Sequence, residues 1–162
     1  MDHADYEQLA LAGDWLCDVE LVPSPDSPGT IDSPWGATSI GYIESGEFVG
    51  PRLNGRVLPG DGDWPAVSVD GENNFQVNVR AVWETVDGAR LYVQYYGFIV
   101  VPPALGGDRQ ALAALDPSEY YFRTAPTFRT GDARYNWLNR VLCVGVGRFT
   151  DKGLGYRIYR VG

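Results

Sequence analysis

Apolar and polar positions alternate with a period of two along most of this chain. From Phe75 to Val86 the odd positions Phe75, Val77, Val79, Ala81 and Trp83 are apolar, whereas Gln76, Asn78, Arg80 and Glu84 are polar. That pattern predicts a strand with one buried face. Asp87-Gly88 is a hairpin turn signal, and Leu91–Val101 returns as the partner strand with Tyr92, Tyr95, Tyr96 and Phe98. Trp15, Cys17, Val19 and Leu21, set against Asp18 and Glu20, predict a first strand over Asp14–Val22. Further strands are expected over Ser39–Ile43, Glu119–Thr124, Thr127–Thr130, a long Tyr135–Phe149 and Tyr156–Val161. Helical character is confined to Asp108–Leu115, with Asp108 near the N-cap. Pro23–Pro34 reads as a long loop, either a lid or a plain connection.

The expected fold is therefore all-β. About eight to ten short antiparallel strands with aromatic faces suit a small β-barrel, whose closure removes exposed edges. A barrel of this size encloses one small ligand, in an internal or barrel-mouth pocket. Residues 1–13 are expected to be loosely ordered, and residues 14–162 to form the single barrel domain.

The stretch Gly46–Trp64 stands apart. It interrupts Phe48, Val49, Leu53, Val57 and Leu58 with Gly, Pro and Asn, as short strands joined by tight turns would. Its end delivers Asp61, Asp63 and Trp64 together. The spacing of Asp61, Asp63 and Glu72 grazes a calcium loop, but Pro65 and Ala66 occupy the positions of a ligand and the obligatory Gly.

Charge and composition narrow the chemistry. A net charge of -8 disfavours nucleic acid and anionic membrane surfaces. No stretch is apolar enough to span a bilayer, and the acidic MDHADYEQ start does not read as a secretory signal. Cys17 and Cys143 read as two buried free thiols, which suits a reducing cytoplasm. The one histidine is His3 and the one lysine is Lys152, so His-based triads, zinc sites and Schiff-base chemistry lack their residues. No metal and no cofactor are expected. Acid–base work falls to Asp, Glu and Tyr, with Arg for charge stabilisation.

Taken in order, GEFVGPRLNGRVLPGDGDW, Arg80 ahead of ETVDGARLYVQYYG, YYFRTAPTF and YNWLNRVLCVGVGRF resemble the DUF3237 family, also called UPF0311, over roughly residues 14–161. The resemblance implies a small antiparallel barrel, often a homodimer. Most members have no assigned activity; some fungal relatives are implicated in intramolecular hydroalkoxylation, the addition of a phenolic hydroxyl across an alkene. It thus implies a cofactor-free acid–base pocket, with lyase or cyclase-type chemistry on a small aromatic or polyketide-like metabolite. Ser45-Gly46-Glu47-Phe48 departs from the family's usual Gly-Gly before the Phe.

In that reading Asp63, partly desolvated beside Trp64, carries the proton; otherwise it caps its own turn. Arg80 either lines the lumen, paired with Asp63 or with a substrate oxyanion, or is a solvated surface residue with Glu84. Arg123 is read by the same argument, and in the catalytic reading both stabilise developing oxyanion charge. Trp64, Tyr96, Tyr121, Trp137 and Asn139 shape and anchor a planar ligand, although Trp137 also reads as plain core and Asn139 as a loop fastener. The alternative function is a non-catalytic, lipocalin-like carrier or sensor, for which an aromatic pocket suffices.

Overall fold

The computed structural model describes residues 11–70, 72 and 74–162. The expectation for the first thirteen residues, His3 included, falls mostly outside them; Gly13 already opens the first strand. In chain order the strands are β1 (Gly13–Pro23), β2 (Gly29–Ser33), β3 (Gly36–Val49), β4 (Gly55–Val57), β5 (Gly62–Asp63), β6 (Ala66–Val67), β7 (Phe75–Thr85), β8 (Arg90–Val100), β9 (Tyr121–Arg129), β10 (Cys143–Phe149) and β11 (Leu154–Val161). One short helix, α1 (Arg109–Ala114), follows β8.

Every pairing is antiparallel, and the sheet closes on itself because β1 pairs with both β11 and β3. The circuit runs β1, β11, β10, β9, β8, β7, then the short β4, β5 and β6 as one broken stave, then β3. The result is a closed eight-stranded antiparallel barrel with β2 as an extra strand.

The inward faces make the core. On β7, Val77, Val79, Ala81 and Trp83 are buried, as the alternation requires. Trp83 stacks on Phe48 at 4.5 Å and meets Phe128 edge-on at 5.6 Å. Leu53, Leu91 and Leu138 are buried in the same core cluster as these rings. The helix α1 buries Leu112. Asp108 caps that helix, accepting from the backbone N–H of Gln110 and Ala111.

Four local expectations change. The register of β1 against β11 shifts between Trp15 and Cys17, so Leu16 and Cys17 are both buried while Trp15 turns outward; such a bulge breaks simple alternation. Pro23–Pro34 contains the paired strand β2 instead of being all loop. Glu119–Thr124 and Thr127–Thr130 join into one strand, β9. Pro126 fits because the ladder to β10 covers only Arg123 and Thr124. The first half of the expected Tyr135–Phe149 strand is a 3-10 helix, Ala133–Arg140, capped by Asp132. Asn139 there bonds the backbone locally, competing with a strand ladder.

Candidate functional site

Asp63 reaches the lumen because the stave carrying it is broken. Pro59 and Gly60 (φ 99°) turn the chain after β4. Gly62 then lets β5 press against β3, since a Cβ there would stand 2.6 Å from the Gly41 carbonyl oxygen. The Asp61 carboxylate is spent on this kink: its Oδ2 accepts from the Val82 N–H at 2.8 Å. In the next register step Gly62 pairs with Arg80 and Asp63 pairs with Val79. Paired residues share a face, so Asp63 points inward with Val79.

The carboxylate lines a cavity of about 130 Å³, walled by Leu21, Ile43, Val79 and Leu154. Tyr95, Tyr156 and Arg109 add polar groups, with Ser39 and Tyr42 also in the lining. Asp63 Oδ1 accepts from the Asn78 N–H at 2.8 Å. Burial nevertheless dominates and pushes its carboxyl up to about 6, against the pull of the Asn78 and Trp64 amides. Tyr95 and Tyr156 are buried, with rings meeting edge-on at 5.6 Å. Burial, seconded by the Asp63 charge for Tyr95 and by Tyr95 and Asp63 for Tyr156, pushes both phenols above their usual range. They therefore stay protonated and remain donors. The Tyr156 hydroxyl makes no well-formed hydrogen bond among the described residues, although the Tyr95 phenol lies close enough to influence its titration.

The expected Asp63–Arg80 pair is absent from this geometry. Arg80 lies one residue from Val79, on the outer face, with its guanidinium carbon 5.9 Å from the Trp64 ring centre. Trp64 shares that outer face and does not line the cavity. Arg123 is also outside, between the buried Phe122 and Thr124, and lies over the Tyr121 ring at 5.2 Å. Tyr96 and Tyr121 are exposed on the outer wall. Trp137 stacks under Arg52 at 4.3 Å, away from the cavity. Asn139 pins its own loop, accepting from the Thr130 N–H and donating to the Thr130 and Asn136 carbonyls. Of the eight residues expected at the site, only Asp63 reaches the cavity.

Among the polar cavity residues that the sequence reading did not single out, Tyr95, Tyr156 and Arg109 bear on the chemistry. Tyr95 was reachable by counting: the Asp87-Gly88 turn places it opposite Val79, hence on the inner face. Tyr156 shares the parity of the apolar Ile158 on β11. Arg109 had no such signal, because its place depends on where the β8–β9 connection folds. Among the described residues no group of three or more His, Cys, Asp or Glu could hold a metal ion. No helix among them is long and apolar enough to cross a membrane.

Known proteins share this architecture. The family described as a protein of unknown function, DUF3237, matches residues 10–161. A UPF0311 protein from Clostridium acetobutylicum is 36% identical over 120 residues, covering 74% of each chain. The crystal structure of a conserved protein of unknown function from Rhodopseudomonas palustris superposes with a TM-score of 0.81 at 25% identity, over 94% of this chain and 98% of that one. A structure described as an enzyme from Penicillium herquei shares the fold at 18% identity, with a TM-score of 0.68 over 94% and 95% of the two chains.

Proposed function

The chain belongs to the DUF3237 family of unknown function, and we propose that it is a cofactor-free acid–base enzyme acting on a small aromatic or polyketide-like metabolite. The observation that carries this reading is Asp63: a carboxyl inside an apolar cavity, with its titration moved to about 6, facing two un-ionised phenols. A carboxyl tuned near neutrality both gives and takes a proton at physiological pH.

The chemistry closes without a co-reactant. For hydroalkoxylation, protonated Asp63 gives its proton to one alkene carbon of the substrate. The substrate's own phenolic oxygen bonds to the other carbon, and its proton returns to the Asp63 carboxylate. Elimination runs the same steps backward, and isomerisation uses the carboxyl to take a proton from one carbon and return it to another. In hydroalkoxylation the negative charge develops on the Asp63 carboxylate itself. In isomerisation of a carbonyl substrate, where proton removal puts negative charge on oxygen, Tyr95 and Tyr156 donate to that oxygen. This role was first expected of Arg80 and Arg123, which lie outside the barrel.

The cavity is close to the volume of an engineered apolar cavity, about 150 Å³, that takes up benzene. One ring fits; a larger substrate leaves the rest of itself at the mouth. The buried free thiols Cys17 and Cys143 accord with a cytoplasmic setting.

The test uses unsaturated phenols in deuterated buffer, followed by NMR for ring closure or solvent-proton exchange at carbon. Turnover that falls by roughly a hundredfold or more in Asp63→Asn, with ligand binding kept, is the expected result. Turnover unchanged in that variant, or binding without turnover across the whole panel, leaves the carrier reading in its place.

A further inference from the structure

The cavity has two ends of different character. Asp63, Tyr95 and Tyr156 lie among the strands, whereas Arg109 comes from the first turn of α1 at the mouth. Arg109 takes part in none of the ion pairs found among the described residues. Its neighbour Asp108 has its carboxylate turned to the helix cap, receiving two backbone N–H groups. Asp63 does not pair with it either. Arg109 is an exposed residue whose guanidinium edges this largely apolar cavity. With water in place of a carboxylate of its own, it can exchange that water for a ligand carboxylate, which its planar fork matches. The Tyr156 hydroxyl, in a residue only 6% exposed and without a well-formed hydrogen bond although Tyr95 is beside it, supplies a second donor in the same space.

We infer that the ligand is a small aromatic carboxylate, seated with its ring against Leu21, Ile43 and Val79 and its carboxylate on Arg109. This rests on the reading of the cavity as a substrate pocket, and makes Arg109 the specificity residue of that pocket. The polarity of the cavity sets the orientation. A carboxylate turned toward Asp63 would face a group that ionises near neutrality, so the anion sits at the mouth and the uncharged, reactive part of the molecule meets Asp63 and the phenols. A second depression beside the mouth is lined by Arg109 together with Lys152 and Asp151. Lys152 is engaged with Glu20 at 3.8 Å and is not part of the cavity.

The experiment compares benzoate with benzamide, the same ring with and without the charge, by calorimetric or NMR titration of the full chain. Working on the acid side of the Asp63 titration keeps Asp63 protonated. Benzoate is expected to bind roughly ten- to a hundredfold tighter than benzamide. Arg109→Gln should abolish that preference while leaving benzamide binding as it was, Arg109→Lys should restore part of it, and Lys152→Gln should change nothing. Equal affinity for the two probes, no binding of either, or a preference that survives Arg109→Gln overturns the inference. Asp63→Asn is expected to bind benzoate as the parent does. The specificity claim and the catalytic claim can therefore fail separately: one is read from Arg109 and affinity, the other from Asp63 and turnover.

Discussion

Asp63 and Arg80 occupy consecutive register positions across the same strand pair, yet their side chains leave on opposite sides of the barrel wall. Asp63 pairs with Val79 and enters the cavity; Arg80 pairs with Gly62 and lies over Trp64 outside. A displacement of one residue is enough for this, because the side-chain period of a strand is two. The carboxylate thus has no ion-pair partner to hold it ionised, and its titration is governed by burial.

That governs stability. Asp63 titrates near 6 in the folded protein, against 3.8 for the free side chain. The folded state therefore binds the proton more tightly than the unfolded chain. The resulting stabilisation is fully present below 3.8 and is lost as pH rises through about 6. A gap of roughly two units corresponds to about 3 kcal/mol at most. Asp63→Asn cannot ionise and keeps an acceptor for the Asn78 N–H. It should match the parent in acid and exceed its stability on the alkaline side of 6, as read by urea unfolding across a pH series. A variant less stable than the parent in alkali would contradict this account.

Tyr156→Phe separates stability from activity. Its hydroxyl is buried without a well-formed hydrogen bond, with Tyr95 beside it, so removing it should leave the fold as stable to within about 1 kcal/mol. If the hydroxyl stabilises developing negative charge, turnover should fall by roughly a hundredfold or more. A clear drop in melting temperature would mean that the hydroxyl is structurally bonded after all.

Arg80→Ala should be mild. Its contact with Trp64 is a cation–π pair on the outer wall, worth about 0.5–1 kcal/mol. Unfolding should shift by no more than that, with turnover retained. A collapse of activity comparable to that of Asp63→Asn would show that Arg80 acts on the cavity.

Self-association is the remaining expectation, and its basis changes. The closed barrel removes most of the unpaired edges that first suggested it. The outer wall instead exposes Tyr96, Phe98, Val100 and Tyr121, with Phe98 55% exposed. They are neighbours across β8 and β9, where Phe98 pairs with Arg123 and Val100 with Tyr121. Exposed apolar residues clustered in this way mark association surfaces. Sedimentation should find a homodimer that Phe98→Glu converts to monomer; a parent chain that stays monomeric at high concentration ends the expectation.

The period-two alternation by itself determined that this chain is all-β, and its Gly- and Pro-broken strands pointed to a closed barrel. It also determined that Val77, Val79, Ala81 and Trp83 face inward, because burial of one pleated face admits only one parity. The absence of usable His and Lys limited the chemistry to carboxylates, phenols and guanidinium groups. Only the tertiary structure decided which of those groups meet. Asp63 lies in a two-residue strand whose parity depends on the kink held by Asp61, Pro59 and Gly60, and no alternation is long enough there to reveal it. Trp137 and Asn139 looked like a strand segment but turn as a 3-10 helix, because side-chain bonds to nearby backbone replaced the ladder. Arg109 reaches the cavity through the fold of a connection between strands. Local sequence carries no record of that position, since it is set by the burial of Leu112 near the barrel end.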